Sequence, residues 1–245
     1  MTASILIIAA SGNVGSQVVS ILREREVACR IAARNPQRAR EQFGEQAEIV
    51  LFDFLKPETY PDAFAGVEQL FLVRPPQLAN VQRDIAPAIH AALAAGVGQI
   101  VFLSLQGVEN NRVTPHYKIE QLLHEADVHH TFLRAGFFMQ NLSTTHRDEI
   151  RDDDEIVVPV GSARTSFIDV RDIAAVAVEA LLGDAHRNQA YTLTGSEALT
   201  YHEVAAIMSE VLKRRIRYTN PSALAFFWRQ VRAGEALGYA FVVTA

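Results

Sequence analysis

The sequence predicts an α/β fold built on a doubly wound parallel sheet. Three observations carry that prediction. Near-continuous apolar strand patterns alternate with helix patterns through the first 135 residues, which is how strands buried on both faces of a parallel sheet read. The first strand runs straight into a turn bearing Gly12 and Gly15, and that turn into a helix. A length of 245 residues with 49% hydrophobic side chains supplies the core of one large domain.

Residues 4–9 are apolar and β-branched and form the first buried strand. Ser11, Gly12, Asn13 and Gly15 break the pattern, and Asn13 is placed to cap a helix. In that helix Val14, Val18, Val19, Ile21 and Leu22 recur at helical spacing. The second strand is expected over 27–33, a short polar helix over Pro36–Phe43, and the third strand over 47–52. A short helix over 58–64 precedes the fourth strand at 68–73. Residues 81–95 predict one amphipathic helix, with Ile85, Ile89 and Leu93 on one face. The fifth strand follows at 98–103. Pro115–Glu125 then begins with proline, as first turns often do. The sixth strand is expected over 129–133.

After Arg134 the rhythm changes. Phe137, Phe138, Met139 and Leu142 crowd together, and the acidic run at 151–155 reads as a solvated turn. Short strands are expected at 156–160 and 163–168. Val170–Leu182 is apolar on most sides and predicts a buried helix returning to the sheet. A strand at 190–193 follows. Thr200 and Glu203 form a capping box for the helix Tyr201–Leu212, and 221–232 gives a last helix.

Composition excludes several classes. The net charge of −5 gives no reason to propose nucleic acid or an anionic membrane as partner. Cys29 is the only cysteine, so neither an intrachain disulfide nor a thiolate metal cluster is expected. The start of the chain lacks a basic leader pattern, and no apolar run reaches spanning length. A soluble cytoplasmic protein is the expectation.

In a doubly wound sheet, ligands bind beyond the carboxyl ends of the strands. The first strand leads to Ser11–Gly15, where backbone N–H groups and a positive helix end converge on a point that suits a pyrophosphate. Gly12 and Gly15 have the spacing of the last two glycines of a dinucleotide fingerprint, with Ala9 in place of the first. A plain βα turn that uses glycine for backbone freedom reads the same way. The second strand leads to Arg34, with Arg38 one helical turn on. A dehydrogenase preferring NAD places a carboxylate there, whereas a planar cation suits a 2′-phosphate. A solvated loop arginine is the other reading. Asp53, after the third strand, bonds an adenine amine or caps the next turn. The fourth strand ends in Val73, Arg74, Pro75 and Pro76, a wall beside a ligand or simply a stiff loop. Ser104 follows the fifth strand as a hydroxyl near a nicotinamide or as a strand-end cap. Ala135, Gly136 and Phe137 follow the sixth.

Of the 23 basic residues only Lys56, Lys118 and Lys213 are lysines. In a chain whose default cation is arginine, Lys118 is a candidate for a role that wants a compact ammonium, such as bonding ribose hydroxyls. The residue four before it is Thr114, so a Tyr-x-x-x-Lys acid/base pair is absent.

The order of these features resembles the NmrA-like group of atypical short-chain dehydrogenases/reductases, which includes quinone oxidoreductases and triphenylmethane reductases. The resemblance covers nearly the whole chain. It rests on ILIIAASGNVG, AARNP at Arg34, LFD at Asp53, HYKIEQLL at Lys118 and LRAGFFMQNL from Leu133. FIDVRDIAAVAVEAL and YTLTGSEALTYHEVA complete it. It implies a Rossmann-type sheet with a small C-terminal substrate lobe in a single domain over 1–245. Residues 1–135 would be mainly dinucleotide-binding, and 136–168 with 190–245 mainly lobe. It implies NADP(H) as cofactor, lined by Ser11, Gly12, Asn13, Val14, Gly15, Arg34, Arg38, Asp53 and Phe54. Val73, Arg74, Pro75, Ser104 and Lys118 would complete that lining, with Ala135, Gly136 and Phe137 near the nicotinamide. Lys118 is the implied catalytic residue. Phe137, Phe138 and Asn141 would face the substrate.

Two functions follow from this resemblance. One is NADPH-dependent reduction of a quinone or similar planar acceptor. The other is a redox sensor that binds NADP(H) and docks a regulatory protein without turnover. The missing tyrosine favours the sensor, and the aromatic residues Phe137 and Phe138 favour the enzyme. Phe226, Phe227 and Trp228 read equally as cleft, core or homodimer face. The apolar FVVTA at 241–245 leads to the expectation of a lobe that is open or completed by a partner chain.

Overall fold

The computed structural model describes residues 4–232. Its elements run β1 (Ile5–Ile7), α1 (Asn13–Glu24), β2 (Cys29–Ala33), α2 (Pro36–Phe43), β3 (Glu48–Leu51), α3 (Tyr60–Phe64) and β4 (Gln69–Leu72). Then come α4 (Val81–Asp84), α5 (Ala86–Ala94), β5 (Gln99–Leu105), α6 (Pro115–Glu125) and β6 (His129–Ala135). After these lie α7 (Arg147–Asp152), β7 (Glu155–Val157), β8 (Arg164–Ser166), α8 (Val170–Leu182) and β9 (Gln189–Leu193). The last are β10 (Ala198–Thr200), α9 (Tyr201–Leu212), β11 (Arg217–Thr219) and α10 (Ala223–Arg232).

The chain forms two compact units. Among the described residues, 4–135 together with 170–193 make the first, and 136–169 with 194–232 make the second. The first holds a seven-stranded sheet in the order β3-β2-β1-β4-β5-β6-β9, parallel throughout. Alternation along β1 sends Leu6 and Ile8 into one apolar layer with Phe64, Ile89, Ile119 and Leu123. Ile5 and Ile7 are equally buried and point to the opposite face. Strand order reverses between β1 and β4, so the crevice at their carboxyl ends is the natural ligand position. The expected strand at 190–193 is β9 of this sheet, not part of the lobe.

The second unit pairs β7 with β11 and β8 with β10. Its core holds Phe167 and Tyr201, with Phe137 and Tyr218 packed against them. The Thr200–Glu203 capping box forms as expected.

Three local expectations are corrected. The helix expected over 81–95 is two helices meeting at Ile85, because Pro87 has no N–H to give the carbonyl four residues back. Part of the acidic run is helical: α7 continues through Asp152, with Arg151 paired to Asp148 and Asp152. The first strand stops at Ile7, and Ala9 takes a left-handed φ of 58°.

Ala9 occupies the place of the missing fingerprint glycine, and its backbone has the conformation that glycine adopts most readily. Ala9→Gly is therefore expected to stabilise the protein by up to about 1 kcal/mol, since relief of the left-handed Cβ contact exceeds the added chain entropy. A urea-denaturation midpoint that falls on this substitution would contradict the expectation.

Candidate functional site

Where β1 ends, Gly12 N–H donates to the Ala9 carbonyl at 2.9 Å and closes the turn. Gly12, not Asn13 as expected, is the N-cap of α1, and no side chain caps the helix. Asn13 is the first helical residue. The N–H groups of Asn13, Val14 and Gly15 thus lack intrahelical partners by construction, and the helix leaves its positive end open. Gly15 is needed for packing: a Cβ there would lie 2.3 Å from the Ala9 carbonyl oxygen.

A groove of about 850 Å³ opens at the carboxyl ends of β1 to β4, within the usual range for small-molecule and cofactor sites. Ala9, Ser11 and Gly12 form its floor. Arg34, Asn35 and Arg38 come from the start of α2, Asp53, Phe54 and Leu55 from the end of β3, and residues 73–78 from the end of β4. Asn35 caps α2 by accepting the Arg38 N–H at 3.1 Å, which fixes both arginines on one turn. Arg34 and Arg38 are exposed and form no ion pair with a described residue. Asp53 does cap its turn, with Oδ1 accepting the Leu55 N–H at 3.0 Å. Three arginines and one aspartate line the groove, a cationic lining in an acidic chain.

Arg74 shapes the far wall. Its Nη1 donates to the carbonyls of Pro75, Pro76 and Leu78 at 2.8, 3.0 and 3.1 Å. Burial pushes the guanidinium's pKa down. His116, at the start of α6, stacks on Phe102 with ring centroids 5.9 Å apart. Burial, and then the charge of Arg74, push His116 down to about 3, so it is neutral at physiological pH.

The groove therefore gathers Ser11, Gly12, Arg34, Arg38, Asp53, Phe54, Val73, Arg74 and Pro75 from the expected set. Asn13, Val14 and Gly15 are not among the lining residues but follow Gly12 directly as the first turn of α1; the remaining ones lie elsewhere. Ser104 is only 1% exposed, and its hydroxyl donates to Glu120 Oε1 at 2.6 Å, so it is committed to the interior and not to a ligand. Lys118 is exposed and does not line the groove, which departs from its expected place at the rim of the cleft. Ala135 is buried, and its carbonyl accepts the Gln106 N–H. Gly136, Phe137, Phe138 and Asn141 belong to the second unit. There Phe137 packs edge-on against Phe167 at 5.5 Å, and Phe138 bridges to Ile168. In α10 Phe226 is buried, whereas Trp228 is 53% exposed. FVVTA lies outside the described residues.

Sequence reasoning missed Asn35, Leu55, Gln77 and Leu78 as groove residues. Asn35 carried a readable signal, an Asn directly before a proline-led helix.

Fold and groove define a doubly wound α/β protein with an arginine-lined cleft at its strand-order reversal. The chain belongs to the NmrA-like family, whose model matches residues 1–243. It is 37% identical over 218 residues to the NAD(P)H azoreductase of Xenophilus azovorans, covering 87% of this chain and 76% of that protein. Among solved structures it is similar to triphenylmethane reductase of Citrobacter sp. complexed with NADP(H). That likeness has a TM-score of 0.81 and 24% identity over 98% of this chain and 87% of that one. It is also similar to the NADPH-dependent quinone oxidoreductase QOR2 of Escherichia coli, with a TM-score of 0.86 and 23% identity over 98% and 86% of the two chains. No described helix is long and apolar enough to cross a membrane.

Proposed function

We propose that this chain is an NAD(P)H-dependent oxidoreductase that prefers NADPH and reduces a quinone or a similar planar conjugated acceptor. The observation that carries the reading is an α1 N-terminus without a side-chain cap and two arginines, free of ion pairs among the described residues, beside one groove. The residues fit the cofactor. The N–H groups at Asn13, Val14 and Gly15 would receive a pyrophosphate. Arg34 and Arg38 would receive a 2′-phosphate through charge-assisted, fork-shaped hydrogen bonds. Oδ2 of Asp53, which has no partner among the described residues, would accept from an adenine amine while Oδ1 holds the turn. When bound, the cofactor supplies a hydride.

The protein's part is to bind, orient and exclude water. No tyrosine precedes Lys118 by four residues, so no Tyr–Lys acid is available on α6. A reduced quinone takes its protons readily from solvent, so the proposed acceptor class suits the missing acid. Lys118 does not line the groove; the proposal that it bonds the ribose nearest the reacting ring rests on the family resemblance alone. The reductases among the relatives support turnover over sensing.

Arg34→Ala is expected to remove the preference for NADP(H) over NAD(H), a loss of about one to two decades in affinity. Calorimetry on the unmodified protein and the variant tests this. Equal affinity of the unmodified protein for the two cofactors would refute it. NADPH oxidation against a panel of quinones and azo dyes tests the reaction itself.

A further inference from the structure

Arg74 stands apart from the other cations of the groove. It is held at the wall by three carbonyls, all on Nη1. Its Nε is buried without any hydrogen-bond partner. Its Nη2 has no partner among the described residues and is not among the buried unsatisfied atoms, so that edge keeps access to solvent. No carboxylate among the described residues pairs with it: the acid lining the groove, Asp53, spends one oxygen on its own turn. A partly desolvated cation without a counter-ion is unfavourable in isolation, and a built wall that holds one points to an anion from outside.

Position narrows which anion. Arg34 and Arg38 follow β2, whereas Arg74 follows β4, and β1 with its open turn lies between them. The 2′-phosphate and the pyrophosphate of the proposed cofactor thus have their own receivers, the arginine pair and the α1 N-terminus. Arg74 lies beyond both, close enough to His116 of α6 for its charge to act on that ring. Arg74 continues β4, whose neighbours are β1 and β5, and so stands two strand positions from the loop after β2 that carries Arg34 and Arg38.

We infer that Arg74 is a specificity residue that takes an anionic substituent, a carboxylate or sulfonate, on the acceptor substrate. This rests on the reductase reading above and adds a charge requirement to it. The free Nη2 donates to one anion oxygen, and the fixed positive charge adds attraction that falls with salt.

The test uses full-length protein and a matched pair of acceptors, 1,4-naphthoquinone-2-sulfonate and the neutral 2-sulfonamide, so that both carry an electron-withdrawing group. The KM for the sulfonate is expected to be about tenfold below that for the sulfonamide, the size of one charge-assisted contact. Arg74→Gln should bring the ratio to one. Arg74→Lys should keep most of it, because lysine retains the charge while losing the three-carbonyl clamp. A ratio of one in the unmodified protein overturns the inference. So does a ratio that survives in Arg74→Gln while NADPH affinity falls, which would give the guanidinium to the cofactor. If Arg74→Lys behaves as Arg74→Gln does, the residue only clamps the loop and the inference also fails. If no acceptor is turned over at all, the reductase reading fails instead. Arg74 is then read by equilibrium dialysis of naphthalene-2-sulfonate against naphthalene-2-sulfonamide on the NADP-loaded protein. Preferential retention of the sulfonate, lost in Arg74→Gln, supports the anion site; equal retention overturns it.

Discussion

Glu120→Ala is expected to destabilise the sheet unit by about 3–5 kcal/mol, because it strands a half-buried cation. The Glu120 side chain is 4% exposed and that of Arg134 21%. Arg134 grips it with two nitrogens, Nη2 at 2.7 Å and Nε at 3.2 Å. Ser104 gives it a third hydrogen bond. One carboxylate thereby ties α6 to the ends of β5 and β6. Without it the one carboxylate left beside Arg134 among the described residues is Glu109, at 3.4 Å and half exposed, and Ser104 loses its acceptor. Replacing both partners with apolar residues of similar volume, Glu120→Met with Arg134→Met, should recover most of the loss, since neither desolvated charge then remains. Urea denaturation of Glu120→Met, Arg134→Met and the double variant forms the cycle, with Glu120→Ala measured beside it. A Glu120→Ala loss below about 1 kcal/mol would place the pair among surface ion pairs and refute the assignment.

That network shows where the sequence was legible and where it was not. Strand and helix identities in the sheet unit could be read because both faces of a parallel strand are buried, so the apolar pattern is strong. Glu120 was not legible. On an amphipathic helix a glutamate between Ile119 and Gln121 looks solvated, and its burial depends on an arginine 14 residues away on the next strand. Ser104 was misplaced for the same reason: its partner comes from α6 and not from a ligand. Strands β10 and β11 escaped notice because three-residue strands carry no periodicity. The groove was more legible than the lobe, since the rule that ligands bind beyond strand ends turns strand identity into site residues. Arg34, Asp53 and Arg74 follow from it directly. The lobe has no such rule, and Phe137, expected beside a substrate, is taken up by the lobe's own aromatic cluster.

The two glycines of the α1 turn should separate function from folding. Gly12 has φ −81° and ψ 173°, an extended conformation open to any residue, so backbone freedom does not require glycine there. Space does. A Cβ at Gly12 would sit 3.2 Å from the Ala9 carbonyl oxygen, tight enough to need a shift of a few tenths of an ångström. The valine methyls of Gly12→Val would then stand on the groove floor, over the open N–H groups that are proposed to receive the pyrophosphate. Two or more charge-assisted hydrogen bonds are lost, so NADP(H) affinity should fall by about 100-fold or more while the protein still folds. Gly15→Val meets backbone instead: its Cβ would lie 2.3 Å from the Ala9 oxygen and 2.9 Å from the Ala10 Cα. Backbone cannot rotate away as a side chain can, so this variant should lose fold and binding together. Calorimetric titration with NADP and thermal unfolding, run on both variants, distinguish the two cases. Gly12→Val that binds NADP as the unmodified protein does would show that the dinucleotide does not cross this turn, and the groove would need another ligand.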